Sequence, residues 1–295
     1  MIGWWRVSRT TLFALVDAIR LSQWTKNLLL FAGLLFATEF DDPWRWVDAV
    51  LVFACYCAVS SAAYLVNDVH DAQEDRLHPK KRSRPIASGR LGRRPALIAA
   101  GVLDVLALAI AATLGLRTVV LIGAFLVLQT VYTFFLKRVF LADVLTISGL
   151  FVIRASAGAA AVRVRISPWL LLCTALLALF LAFAKRRAEL VLANSRETPT
   201  RPVLAWYSTA LLDRLLLATA LSTIVAYSFY AFTARHTPEM ALTIPFVVLG
   251  LVRYLFLVRA RDLGEEPERL LLNDRVILAT IGCWAVSAAA ILGTS

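Results

Sequence analysis

The segment NDVHDAQEDRLHPKKRSRPIASG, residues 67–89, concentrates the residues of this chain that could do chemistry. Asp68, Asp71 and Asp75 recur at i, i+3 and i+7, so a continuing helix gathers three carboxylates on one face. Like charges so placed repel one another, and a hard divalent cation between them relieves the repulsion. Mg²⁺ suits such a place, because it takes carboxylate, water and substrate phosphate oxygens more readily than an all-protein cage. Asn67 adds an amide oxygen to the set. Lys80, Lys81, Arg82 and Arg84 follow, and they suit phosphate oxygens that a metal leaves uncovered, with Arg able to grip two at once. The same basic residues also fit a solvated loop at a membrane surface. His70 and His78 lie among the carboxylates but are poor ligands for an oxygen-seeking ion.

The elements that must hold this segment are apolar. Of 295 residues, 60% are hydrophobic and 17% charged, which places the chain in a bilayer. Apolar stretches at about 46–66, 95–115, 118–136, 139–162, 167–184, 208–233, 241–258 and 274–292 reach or approach the length that crosses the hydrocarbon. A ninth, Leu28 to Phe40, is short and must borrow residues from Trp24 onward. The expectation is one all-α transmembrane domain over 1–295 with nine membrane helices. Residues 1–23 form an interfacial amino-terminal segment on which Leu12, Leu15, Val16 and Ile19 share a face, and 67–94 form an active-site loop. No cleavable signal peptide is evident. Cys55, Cys57, Cys173 and Cys283 fall in apolar spans without metal-ligand spacing.

The formal charge of +11 raises the question of nucleic acid, but the distribution of the 31 Lys and Arg answers it. One alternate set of loops holds only Arg45, Arg117, Arg163, Arg165 and Arg235, and Arg154 lies inside a span. Nearly all the others flank the amino segment and the loops after spans 2, 4, 6 and 8, which the positive-inside rule puts in the cytoplasm, with the carboxyl terminus outside. No nucleic-acid partner is needed to explain the basic excess. Arg154 and Asp143 are eleven residues apart, three helical turns, and so share one side of span 5. An ionised residue at the depth of Arg154 is costly and normally faces a polar cavity or a partner.

The pattern N-D-x-x-D-x-x-x-D followed by K-x-x-x-R-P-I-x-x-G resembles the first aspartate-rich motif of the UbiA-type intramembrane prenyltransferase superfamily. The resemblance implies nine transmembrane helices around a central polar cavity, Mg²⁺ dependence, and pyrophosphate or polyprenyl substrates. It extends to Gln23 through Asn27 with Lys26, to Tyr132 through Lys137, and to Asp143, Arg154, Ala157 and Gly158. Lys26, Tyr132, Lys137, Asp143 and Arg154 are thereby substrate-binding candidates.

Superfamily members that alkylate aromatic rings carry a second aspartate-rich motif after span 6. Here the stretch reads LAFAKRRAELVLANS, residues 181–195, with Lys185, Arg186 and Arg187 and a lone carboxylate, Glu189. One acidic and one basic region suit a donor bearing both a pyrophosphate and a separate phosphate, or a phosphorylated acceptor. The stretch is similar to the branch that transfers phosphoribose to decaprenyl phosphate, as is the segment from Pro245 to Arg275. That resemblance implies a phosphoribosyl pyrophosphate donor, a polyprenyl phosphate acceptor and a product that supplies cell-wall arabinose. It casts Asp68, Asp71, Asp75 and Asn67 as metal ligands and Lys80 and Arg84 as stabilisers of the leaving charge. Lys81, Arg82, Lys185, Arg186, Arg154 and Glu189 are the candidates around the substrate phosphates. An aromatic prenyltransferase and a membrane transporter are the competing expectations, and the sequence leaves the oligomeric state open.

Overall fold

The computed structural model describes residues 9–37, 42–78, 81–165, 167–196, 202–233, 238–260, 264 and 267–294. They form α1 (Arg9–Ala18), α2 (Ala32–Ala37), α3 (Pro43–His70), α4 (Ala72–Leu77), α5 (Arg93–Leu114), α6 (Leu116–Phe134), α7 (Ala142–Ala161), α8 (Pro168–Arg196), α9 (Thr209–Thr233), α10 (Ile244–Ala260), α11 (Pro267–Asn273) and α12 (Arg275–Thr294). Short 3₁₀ turns link several of them. No strand occurs among the described residues.

Eight of these segments, α3, α5 to α10 and α12, are long and apolar enough to cross a bilayer, which makes this a multi-pass membrane protein. Their ends lie close to the boundaries read from hydropathy, with local chemistry fixing each stop. Pro43 opens α3 behind Asp42, whose side chain accepts the Trp44 amide at 2.9 Å. Gly115, at φ +114, is the whole connection between α5 and α6, a backbone conformation that suits glycine. The largest departure is α8, which runs twelve residues past Ala184, so that Lys185, Arg186 and Arg187 stand on a helix and not in a loop.

The expected first span takes another form. Leu21–Phe31 is a 3₁₀ helix that leads directly into α2. At about 2.0 Å per residue in the tighter helix and 1.5 Å in α2, the two pieces together cover roughly 30 Å, enough for a crossing with few residues. Trp24 donates to the Ser61 hydroxyl at 3.1 Å, and Asn27 to the Cys57 sulfur at 3.3 Å, pinning the segment to α3. On its other side it meets α7 backbone to backbone: a Cβ on Gly158 would lie 2.1 Å from the Leu30 carbonyl oxygen, and one on Gly33 2.8 Å from Ala159 Cα. Gly158 is therefore required where α7 and this segment touch. Before it, α1 packs Ala14 and Ala18 on Ala62 and Leu65 of α3 and leaves Leu12 and Phe13 exposed.

The two largest apolar cores lie on either side of α7. One gathers α3, α5 and α6 around Tyr56, Ile122 and Phe125, and the other gathers α8, α9 and α10 around Phe180, Leu216 and Leu257. Helix α7 contributes Leu150 and Ala157 to the first and Val144 to the second. A cavity of about 610 Å³ opens between the halves, bounded by α3, α6, α7, α8, α11, α12 and the 3₁₀ segment.

Candidate active site

The carboxylate segment folds as its spacing predicts up to one bend. Helix α3 ends at His70, Asp71 takes φ −87 and ψ 4, and α4 resumes at once. The Asp71 amide still donates to the Asn67 carbonyl and the Asp75 amide to that of Asp71, so helical hydrogen bonding continues across the bend. Asp68 and Asp75 are buried and converge: a single Nη of Arg84 donates to Asp68 at 3.2 Å and to Asp75 at 2.7 Å. Asp71 turns instead to Lys137, whose Nζ lies 2.6 Å away.

A second cation reaches Asp68 from a part of the chain the motif does not include. One Nη of Arg20 donates to both Asp68 carboxylate oxygens, at 2.6 and 2.8 Å, while its Cζ sits 4.8 Å from the Tyr64 ring centre. Arg20 holds a left-handed backbone, φ 54 and ψ 61, a strain that the charge-assisted bonds offset. In the sequence it registered only as one more basic residue near a membrane boundary.

Among the described residues no three His, Cys, Asp or Glu side chains already stand as a metal cluster. The donor chemistry fits Mg²⁺ nonetheless. Asp68 and Asp75 offer only oxygen, are buried, and converge on one positive centre, the arrangement a hard cation takes with water and phosphate completing its shell. Asn67 is half-buried beside them and Lys81 opens a short 3₁₀ turn with Arg82 exposed next to it. Lys80 lies outside the described residues.

The second charged region is built differently. Arg186, 1% exposed, donates from Nε to Asp143 at 2.6 Å and from Nη1 to Glu189 at 2.5 Å. The Tyr207 hydroxyl donates to the other Asp143 oxygen at 2.8 Å and accepts from the Leu141 amide at 3.2 Å. Burial, then the hydrogen bond to the Asp143 carboxylate, push the Tyr207 hydroxyl well above the usual phenol range, so it stays a donor. Arg187 bonds to Asp213 at 2.9 Å and to the Val258 carbonyl at 2.9 Å. Asp143, Arg186 and Glu189 thus form one ion-paired strut tying α7 to α8, with Arg186, and not Arg154, as the cation beside Asp143.

Lys26, Tyr132, Arg154 and Lys185 share the wall of the 610 Å³ cavity. Tyr64 joins them, one turn before Asp68 on α3, so the cavity begins about 6 Å along the helix axis from the carboxylates. Lys26 donates to Gln23 at 2.5 Å. A second cavity of about 610 Å³ adjoins the first across Leu28, Thr174, Leu177 and Ile281, and its wall is almost wholly apolar, with Trp46, Phe246 and Trp284 in it. One chamber suits a polar, phosphorylated group and the other a hydrocarbon chain.

The chain is similar to known proteins over nearly its whole length. Residues 28–274 match the UbiA prenyltransferase family. The chain is similar to the decaprenyl-phosphate phosphoribosyltransferase of Mycolicibacterium smegmatis, 33% identical over 286 residues that span 92% of this chain and 89% of that one. It is likewise similar to the protein of that name from Mycobacterium tuberculosis, 34% identical over 282 residues and 93% of each. In three dimensions it is similar to a UbiA homolog from Archaeoglobus fulgidus solved with GPP and Mg²⁺, with a TM-score of 0.72, 18% identity, and coverage of 96% of this chain and 100% of that one.

Proposed function

Since this chain belongs to the UbiA prenyltransferase family and is a membrane transferase, we propose that it moves the 5-phosphoribosyl group of phosphoribosyl pyrophosphate onto a polyprenyl phosphate, releasing pyrophosphate. The observation that carries the choice of group is the likeness to decaprenyl-phosphate phosphoribosyltransferases over most of both chains. The geometry supports it in two ways. The chamber beside the carboxylates carries Lys26, Arg154 and Lys185 in an otherwise mostly apolar wall, whereas the chamber adjoining it has no charged side chain in its wall and suits a prenyl chain. On α8, where a second acidic motif would hold a prenyl diphosphate, Arg186 and Arg187 stand instead.

Asp68 and Asp75, with Asp71 and Asn67 beside them, would hold Mg²⁺, which would neutralise the charge on the leaving pyrophosphate. Arg84 lies between the two carboxylates, where its charge also meets a pyrophosphate brought to them, and Lys80, Lys81 and Arg82, just before it in the sequence, add positive charge. Lys137 fixes Asp71, and Arg20 fixes Asp68. The acceptor phosphate is ionised at neutral pH and needs no general base. One of its oxygens forms the new bond to ribose C1 as the bond from C1 to the pyrophosphate oxygen breaks, and the electron pair leaves with the pyrophosphate. Positioning in the chamber and fixed positive charge supply the rate. The site opens to the cytoplasm of a cell membrane, and the product feeds arabinan precursor synthesis.

The test uses purified protein in lipid nanodiscs, a polyprenyl phosphate, and phosphoribosyl pyrophosphate labelled in its 5-phosphate. Label entering the lipid fraction with Mg²⁺, and none after chelation, is the expected result. Alkylation of an aromatic acid by a prenyl diphosphate, with no label entering the lipid, would replace the proposal with the aromatic prenyltransferase reading.

A further inference from the structure

Arg154 is 6% exposed, yet no carboxylate among the described residues stands within ion-pair distance of it, and its Nε has no hydrogen-bond partner. Its company is aromatic: Cζ lies 5.0 Å from the Phe151 ring centre, 5.3 Å from that of Phe125 and 5.9 Å from that of Tyr56. Rings attract a cation but offer its N–H groups no lone pairs of the strength a buried guanidinium needs. The side chain belongs to the wall of the cavity that Lys26 and Lys185 also line, where it is the deepest α7 residue counted from Ala142. A helical side chain leans toward its own helix's amino end, so the guanidinium is directed back toward the carboxylate motif. A buried arginine fork without a counter-ion, aimed into a cavity, calls for an anion that arrives with a ligand.

We propose that Arg154 is a metal-independent site for the 5-phosphate of the donor, at the far end of the cavity from Asp68 and Asp75. The assignment rests on the phosphoribosyl reading and settles which phosphate lies where by length. On α3, Tyr64 and Tyr56 precede Asp68 by four and twelve residues, about 6 and 18 Å of helix axis. Arg154 touches the Tyr56 ring and shares a wall with Tyr64, so its charge falls between those levels. In the donor, seven covalent bonds of about 1.5 Å separate the α-phosphorus from the 5-phosphorus, and a metal–oxygen contact adds about 2 Å. With tetrahedral bends, the far phosphate lies on the order of 10 Å from the metal, within reach of an arginine at that depth. The acceptor phosphate must instead touch C1, two bonds from the α-phosphorus, which keeps it nearer the carboxylates, toward Lys26, whose Nζ meets Gln23 beside Tyr64, and Lys185, next to the Arg186 that reaches the amino end of α7. Arg186, held by Asp143 and Glu189, is not offered to either phosphate.

The site can be read without turnover. Full-length protein in nanodiscs, with chelator present and no metal, is titrated with ribose 5-phosphate and with ribose by calorimetry. Wild type binds ribose 5-phosphate at least ~10-fold more tightly than ribose, and Arg154→Met removes the difference. Arg154→Lys keeps a charge without the fork and gives an intermediate affinity, so the comparison survives if the Met variant does not fold. Turnover supplies the second arm, with ribosyl pyrophosphate, which lacks the 5-phosphate, as competing donor. Wild type prefers the phosphorylated donor by about 100-fold in kcat/KM, and Arg154→Met lowers the preference to a few-fold with an unchanged KM for polyprenyl phosphate. A ribose 5-phosphate affinity unaltered in Arg154→Met overturns the assignment. So does a raised KM for the lipid alone, which would hand Arg154 to the acceptor. If wild type transfers label from neither donor, the phosphoribosyl reading fails, while the titration still reports whether Arg154 binds the sugar phosphate.

Discussion

Arg186 and Arg154 are both buried in the bundle and both face α7 or belong to it, yet their surroundings are opposite. Arg186 has a carboxylate on each side and a tyrosine completing the network, so its charge is neutralised within the protein. Arg154 has three rings and a cavity. The first arrangement holds two helices together. The second leaves a charge for something else to neutralise. Charge and depth alone, which made both residues substrate candidates, do not separate these roles; the separation comes from which side chains lie opposite.

Substituting each arginine should break the molecule in different places. Arg186→Met leaves Asp143 and Glu189 without their common partner, and losing one member of a buried ion pair costs about 3–5 kcal/mol. The expected outcome is a sharply lower melting temperature in detergent, read by intrinsic fluorescence, with little folded protein recovered. Arg154→Met removes a buried charge that has no internal partner, so its melting temperature should stay within a few degrees of wild type or rise, measured the same way without ligand. If Arg154→Met melts as early as Arg186→Met, the two sites are alike and the contrast fails.

Tyr207→Phe sharpens the paired side. It strips one hydrogen bond from the buried Asp143 carboxylate and should destabilise by about 1–3 kcal/mol. Because the Tyr207 pKa is raised in the folded state, its contribution is intact below the ordinary phenol range and is lost as pH climbs toward the folded value. Alkaline titration of stability should therefore fall more steeply above pH ~10 for wild type than for the Phe variant.

Much of this architecture was legible in the chain. The eight long spans follow from runs of apolar residues bounded by charge, glycine or proline, because a bilayer permits few other solutions. The first segment was harder, since 3₁₀ geometry covers more distance per residue than an α-helix and hydropathy windows assume the latter. The carboxylate spacing put Asp68, Asp71 and Asp75 on one face; Asp68 and Asp75 do share Arg84, whereas the bend at Asp71 that sends its side chain to Lys137 is a local backbone event with no pattern of its own. Arg20 was invisible as a site residue because it lies 48 positions from Asp68 and reaches it only through the packing of the amino-terminal segment on α3. Likewise, nothing near Tyr207 in the sequence points to Asp143, 64 positions away. Contacts between distant segments are made by the fold, so residue type at short spacing could identify the acidic region but not the partners that decide which cations are available to substrate.

The carboxylates themselves bear the greatest weight. The direct measurement is Mn²⁺ binding, followed by the loss of the free-ion electron paramagnetic resonance signal, for wild type and Asp68→Asn with and without phosphoribosyl pyrophosphate. Wild type should take up Mn²⁺ when the donor is present, and Asp68→Asn, folded by size-exclusion chromatography, should bind it at least ~10-fold more weakly. Equal Mn²⁺ uptake by the two proteins with donor present would contradict the placement of metal and pyrophosphate at Asp68.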